Sequence, residues 1–273
     1  MRSRLIIFLL FVAAFRPRAS ADLKSELQQN YKGKQLLLKV PYSGTSLRFD
    51  SDGNLVGSSQ IGPWTTSGVL LVKEVRVESK SIEIDGVREL VISFSPSPEE
   101  RIATIPTGAK VHITLDLQDP VRQAEDTIPL LARVFQGGDL QQQIANFWRP
   151  SPEWEKNPDK LSKHLPGTVV GLLNGVVKVY SVGSEVLPPK PIHTPYPDYP
   201  AALRSHGNSD LVILCIVINE MGAPVFFAAA KSPSEALAEH AALAVAKWKF
   251  EPARREGQPV PVVINVEINF RTQ

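Results

Sequence analysis

Residues that could carry chemistry are few and widely spaced. Asp50-x-Asp52-x-Asn54 has the alternate spacing of a calcium loop, but its glycine stands fourth instead of sixth and no glutamate closes the twelfth place. The segment therefore reads as a hairpin turn. The histidines, His112, His164, His193, His206 and His240, show neither H-x-x-x-H nor H-E-x-x-H spacing. The lone cysteine, Cys215, can make neither a thiolate zinc site nor an internal disulfide, and among aliphatics it reads as a small buried hydrophobe. There is no G-x-S-x-G elbow, P-loop or G-x-G-x-x-G, so nucleophilic, phosphoryl-transfer and dinucleotide chemistry lack their usual backbone devices. Trp64, Trp148, Trp154 and Trp248 stand singly and read as core or half-buried anchors, not as a carbohydrate platform. No catalytic residue, cofactor or metal ligand emerges, and the chain reads as a non-enzymatic binding protein.

The elements that could position a binding site are clearest from Pro195 onward. Asp210 to Asn219 is dominated by aliphatic residues, Glu220-Met221-Gly222-Ala223 supplies a turn, and Val225 to Ala229 can return as the second strand of a hairpin. Ser232-Pro233-Ser234-Glu235 reads as a helix start, with Ser232 as the cap and Glu235 reaching back to it. Leu237, Ala241, Ala244 and Trp248 then fall on one helical face. After the turn Arg255-Glu256-Gly257-Gln258, a last strand puts Val262, Ile264, Val266, Ile268 and Phe270 on one side and Asn265, Glu267 and Asn269 on the other.

This ordered set resembles the C-terminal domain of the TonB family. It comprises Tyr199-Pro200, Ala241-Ala242-Leu243, Trp248, Phe250, Pro252, Gly257 and Phe270. The resemblance implies a small antiparallel sheet with two helices over residues 195–273. It also implies energy-dependent transmembrane transport, by grasping an extended peptide of an outer-membrane receptor or another envelope protein. A strand at a sheet edge offers free N–H and C=O groups that an incoming peptide can satisfy. Tyr199, Pro200, Val263, Asn265, Glu267 and Asn269 are the expected peptide-binding residues. Ala241, Leu243, Trp248, Phe250, Pro252, Gly257 and Phe270 are the structural signature.

At the other end, Arg2 and Arg4 precede an unbroken apolar run of 11 residues, Leu5 to Phe15, and Ala19-Ser20-Ala21 is a small-residue cleavage site. Residues 1–21 thus read as a secretory signal that delivers the chain to the periplasm or cell envelope. The alternative is an uncleaved inner-membrane anchor at residues 5–15, although a span needs about 20 apolar residues. Loss of residues 1–21, which carry four arginines and no acid, takes the formal net charge from +2 to −2. A nucleic-acid partner is therefore not expected.

Between these ends, residues 22–183 read as a β-rich domain, a barrel or sandwich with two helices, and the whole chain as α+β. Its strands are expected at Gln35 to Val40, Ser46 to Phe49, Val69 to Glu78, Ser81 to Ile84, Val87 to Phe94 and Lys110 to Asp116. Turns are expected at Asp50 to Asn54 and at Asp85-Gly86. Helices follow at Val121 to Phe135 and Asp139 to Trp148, then a loop at Glu153 to His164 and a hairpin at Gly167 to Val182 turning at Asn174-Gly175. Residues 184–194 form a Pro-rich linker; Ser184 to Pro197 contains five prolines and reads as extended polyproline backbone. Two other readings stand beside transport: a periplasmic module that tethers the protein to cell wall or a partner, and an enzyme housed in the β-rich domain. The oligomeric state is not legible.

Overall fold

The computed structural model describes residues 20–93, 102–137, 167–170, 176–203 and 210–271. The signal segment up to residue 19, the helix expected at 139–148, the loop at 153–164 and the turn at 174–175 lie outside them.

The described residues open with a helix the sequence pattern does not announce, α1 (Ser20–Tyr31). Leu23, Leu27 and Tyr31 recur every fourth place and put one face against the core. Strands β1 (Gln35–Leu38), β2 (Ser46–Phe49) and β3 (Leu55–Val56) follow, then the single turn α2 (Trp64–Ser67). Next come β4 (Val69–Val77), β5 (Ser81–Ser93) and β6 (Ile102–Asp116), a 3-10 turn Ala124–Asp126, α3 (Thr127–Val134) and β7 (Phe135–Gln136). These strands pair in the order β3-β2-β6-β5-β4-β1-β7, antiparallel except for β2 with β6. They do not close into a barrel. Leu27, Leu47, Phe49, Val72, Ile84, Ile113 and Leu131 are among the residues of their core.

Asp50 to Asn54 is the expected hairpin turn. The Asp50 carboxylate accepts the N–H groups of Asp52 and Asn54 at 2.9 and 2.8 Å, and Gly53 takes φ +89°. Asp85-Gly86, by contrast, is no turn: β5 runs unbroken from Ser81 to Ser93. Opposite it, Val72 pairs with Gly86 and Glu74 with Asp85, which leaves Lys73 as a bulge. The glycine is needed for packing, since a Cβ there would stand 2.3 Å from Leu70 Cδ1. The expected helix at Val121 also starts late. The Asp126 carboxylate accepts the N–H groups of Arg122 and Gln123, holding both outside the first turn.

In the second half, β8 (Gly167–Val170) and β9 (Val176–Ser181) form the expected antiparallel hairpin. The Pro-rich stretch is extended but not free. Its β10 (Val186–Leu187) and β11 (Lys190–His193) are both paired to segments near the C-terminus. A 3-10 turn at Ala201–Leu203 precedes β12 (Asp210–Ile218) and β13 (Pro224–Lys231), an antiparallel hairpin. Then come α4 (Glu235–Val245), β14 (Lys249–Glu251), β15 (Arg254–Arg255), β16 (Gln258–Pro259) and β17 (Val262–Phe270). Strand β17 lies antiparallel to β12 along its whole length, from Phe270 on Asp210 to Val262 on Ile218. Strand β11 pairs with β14, and β10 with β15.

The cap of α4 is Ser234, not Ser232: the Ser234 Oγ accepts the Leu237 N–H at 3.2 Å, while the Ser232 hydroxyl donates to the Ser234 carbonyl. Residue 232 precedes a proline, which disfavours the helical region there and delays the start. The helix ends at Val245, so Trp248 lies beyond it, half-buried, with its indole N–H donating to the Pro195 carbonyl at 3.0 Å. Leu237, Ala241 and Ala244 are buried as expected.

Among the described residues one sheet of 12 strands joins the two halves. Strand β5 meets β13 in parallel at Ser93 and Ala228, and β9 meets β17 in parallel at the other side. The core under α4 is likewise shared, because Leu90, Ile92 and Ile105 pack with Val212, Leu214, Ile216, Phe227, Ala241 and Phe270.

Candidate functional site: the edge of the last strand

The site begins with alternation along β17. Val262, Val266, Ile268 and Phe270 are buried toward α4, while Asn265, Glu267 and Asn269 are exposed. Backbone direction has the same period of two. The Pro261 carbonyl accepts the Tyr180 N–H of β9 at 3.0 Å and so points away from β12. By alternation the N–H and C=O groups of Val263, Asn265, Glu267 and Asn269 point the same way. Strand β9 covers only the first of these, pairing Tyr180 with Val262 and Ser181 with Val263. Beyond Val263, no strand among the described residues pairs on this side.

The expected peptide-binding residues thus separate. Asn265, Glu267 and Asn269 stand together on an open backbone edge. Val263 is buried among Val179, Cys215 and Val217, and its outward backbone is already paired. Tyr199 is committed within the domain: its hydroxyl donates to Asp210 Oδ2 at 2.5 Å and its ring meets Phe270 edge-on at 5.3 Å. Pro200 accepts the Leu203 N–H and so closes the short 3-10 turn. The signature residues hold this frame. Phe250 and Phe270 are buried, Leu243 packs on the same core, and Glu256 and Gly257 take φ 51° and 80°, the turn that joins β15 to β16.

A cluster that sequence reasoning misses sits where β9 joins β17. Lys178 Nζ and the Arg255 guanidinium lie 5.0 and 5.4 Å from the centre of the Tyr180 ring, and Arg255 also pairs with Glu185 at 3.0 Å. The hydrogen bond to Tyr180, then the Glu185 charge, raise the Arg255 pKa above its ordinary value. Its only sequence signal is the alternation Lys178-x-Tyr180. The opposite edge of the three-stranded unit, β13, is engaged in its middle: Ser93 pairs with Ala228, and the Thr65 hydroxyl donates to the Val225 carbonyl. Cys215 is fully buried, which pushes its thiol up to about 12 and leaves it unreactive. Among the described residues no group of His, Cys, Asp and Glu side chains could hold a metal ion. No helix among them is long and apolar enough to cross a membrane.

A small antiparallel sheet with a helix on one face and its last strand only partly covered defines the class of the C-terminal unit. Residues 195–272 match the family model described as Gram-negative bacterial TonB protein C-terminal, a domain of cell-envelope proteins. The region before residue 195 matches no family. No curated protein matches the chain.

Proposed function

We propose that the C-terminal unit captures a short extended peptide of an outer-membrane receptor by strand addition to β17, and so takes part in TonB-type transport across the envelope. In this reading residues 1–21 are removed on export and the mature chain works in the periplasm. The observation that carries the proposal is the row of outward backbone groups at Asn265, Glu267 and Asn269, which no described strand pairs. Backbone pairing would supply affinity, and the exposed Asn and Glu side chains would supply register.

The test uses the full chain and synthetic peptides from receptor N-termini. Asn265→Pro removes one outward N–H and no ladder bond to β12, so it abolishes binding while the thermal transition stays in place. Asn265→Ala keeps the backbone and changes binding by no more than about threefold, less than 1 kcal/mol. A folded proline variant that binds as wild type overturns strand addition. A wild-type chain that binds no receptor peptide but retains cell-wall material replaces transport with tethering.

A further inference from the structure

The N-terminal half carries a cleft of about 590 Å³, lined by Lys39, Val40 and Tyr42, by Phe49, by Gly53 to Leu55, by Gly57 to Ser59, and by Ile61, Arg133 and Val134. That volume lies in the usual range of small-molecule sites, roughly 300–1,000 Å³. It sits in the region that matches no family, far in sequence from the β17 edge.

Its walls are fixed before any ligand arrives. Lys39 N–H donates to the Val134 carbonyl at 2.9 Å, Ser43 N–H to Gln60 at 2.9 Å, and Gly62 N–H to Pro41 at 2.8 Å. Arg88 reaches behind one wall and donates to the carbonyls of Tyr42 and Gly44 at 2.6 and 2.8 Å. Gly53 abuts the end of α3 so closely that a Cβ there would be 2.7 Å from the Arg133 Cβ. A cleft built this way costs little ordering when it is filled.

The surface is amphipathic and one-signed. Val40 and Ile61 are exposed at 36% and 54%, a cost that an apolar occupant would relieve. The Tyr42 and Phe49 rings, which line the same cleft, lie 6.1 Å apart. Both charged lining residues are cations. Lys39 has no ion-pair or hydrogen-bond partner for its ammonium among the described residues, and Arg133 has only a 3.9 Å contact with the exposed Asp52. The one other nearby acid, Asp50, spends its carboxylate on the N–H groups of its own turn.

We infer that this cleft binds a small amphipathic monoanion: an apolar body ending in one carboxylate, with the body against Val40, Ile61 and Phe49 and the head between Lys39 and Arg133. The charge complementarity and the exposed apolar walls together select that class over a neutral or cationic amphiphile.

The experiment titrates isotope-labelled full chain with sodium decanoate below its micelle threshold, with decanol and decyltrimethylammonium as neutral and cationic counterparts. Amide shifts should be saturable and confined to residues 39–42, 53–61 and 133–134. The Lys39→Gln/Arg133→Gln variant should raise Kd roughly tenfold, as should decanol on the wild type, in line with loss of a charge-assisted contact. Both replaced side chains are exposed, so the fold survives and the thermal transition checks it. Ile61→Glu is a second, independent variant, which should abolish the shifts by placing an anion in the apolar wall. Shifts scattered outside the cleft, decanol binding as tightly as decanoate, or an unchanged Kd in the double variant would overturn the assignment.

Discussion

Arg88 is only 5% exposed and has no carboxylate partner among the described residues. Its guanidinium donates instead to three carbonyls, those of Ser67 at the end of α2 and of Tyr42 and Gly44. Burial pushes its pKa down to about 10. Because the folded value lies below the unfolded one, the unfolded chain holds this proton more tightly. The group's cost to stability is therefore constant below pH 10 and is relieved only as pH rises through that value. Near neutral pH the charge stays on, and geometry decides. Arg88→Met leaves three carbonyls without a donor and should cost about 3 kcal/mol, read as a lower denaturation midpoint at unchanged slope. A cost below about 1 kcal/mol would mean that water replaces the fork. Parity along β5 sets Arg88 on the buried side with Ile82, Ile84, Leu90 and Ile92, but nothing local in Val87-Arg88-Glu89-Leu90 names the carbonyls that receive a charge there. What buries it, α2 and the Pro41 to Gly44 loop, comes from more than 20 positions away. Cys215 is the opposite case, since its aliphatic neighbours announce its burial and the structure agrees.

Among the elements, the β12–β13 hairpin is tied to β14 through its tip. Asn219 Oδ1 accepts the N–H groups of Met221 and Ala223 at 3.0 and 2.9 Å, and the Phe250 N–H donates to the Gly222 carbonyl. Gly222 has φ +77°, and a Cβ on it would stand 1.8 Å from the Phe250 carbonyl oxygen. Gly257 has nearly the same dihedral, φ +80°, but nothing within 4 Å. The pair separates dihedral strain from collision. Gly257→Ala should cost about 1 kcal/mol, whereas Gly222→Ala should cost at least about 2 kcal/mol more, because the neighbour is backbone and cannot turn aside. Equal shifts of the thermal transition would mean that the tip slides off β14 at no cost. The hairpin turns at Asp50 to Asn54, Glu220 to Ala223 and Arg255 to Gln258 were legible because each is decided within a few residues. Asp85-Gly86 has the same composition, yet a bulge on a partner strand overrides it. The pairing of β9 with β17 was out of reach for the same reason: about eighty positions separate Tyr180 from Val262, and no local pattern encodes the match. For the candidate site, the parity that exposes Asn265, Glu267 and Asn269 was readable from β17 alone. Which of the outward groups is already taken, at Val263, was not.

Across the whole molecule, the core beneath α4 draws Leu90, Ile92 and Ile105 from the long strands of the N-terminal half. A piece comprising residues 184–273 should therefore fold less firmly than the same residues in the full chain. Backbone amides of Leu214 and Ile216 in the centre of β12 should exchange at least about tenfold faster in the piece, a difference of about 1.4 kcal/mol. Identical exchange rates would show that the shared packing adds nothing to the C-terminal unit. The engagement of β13 by Ser93 and Thr65 bears on something else, the valency of the molecule. A three-stranded sheet with both edges free can recruit a copy on each side, and each copy another, so that growth continues without limit. With β13 engaged at Val225 and Ala228, the edge of this unit that stays open among the described residues is β17 beyond Val263. Two copies joined there edge to edge would use up each other's open side, and growth through this unit stops at a pair.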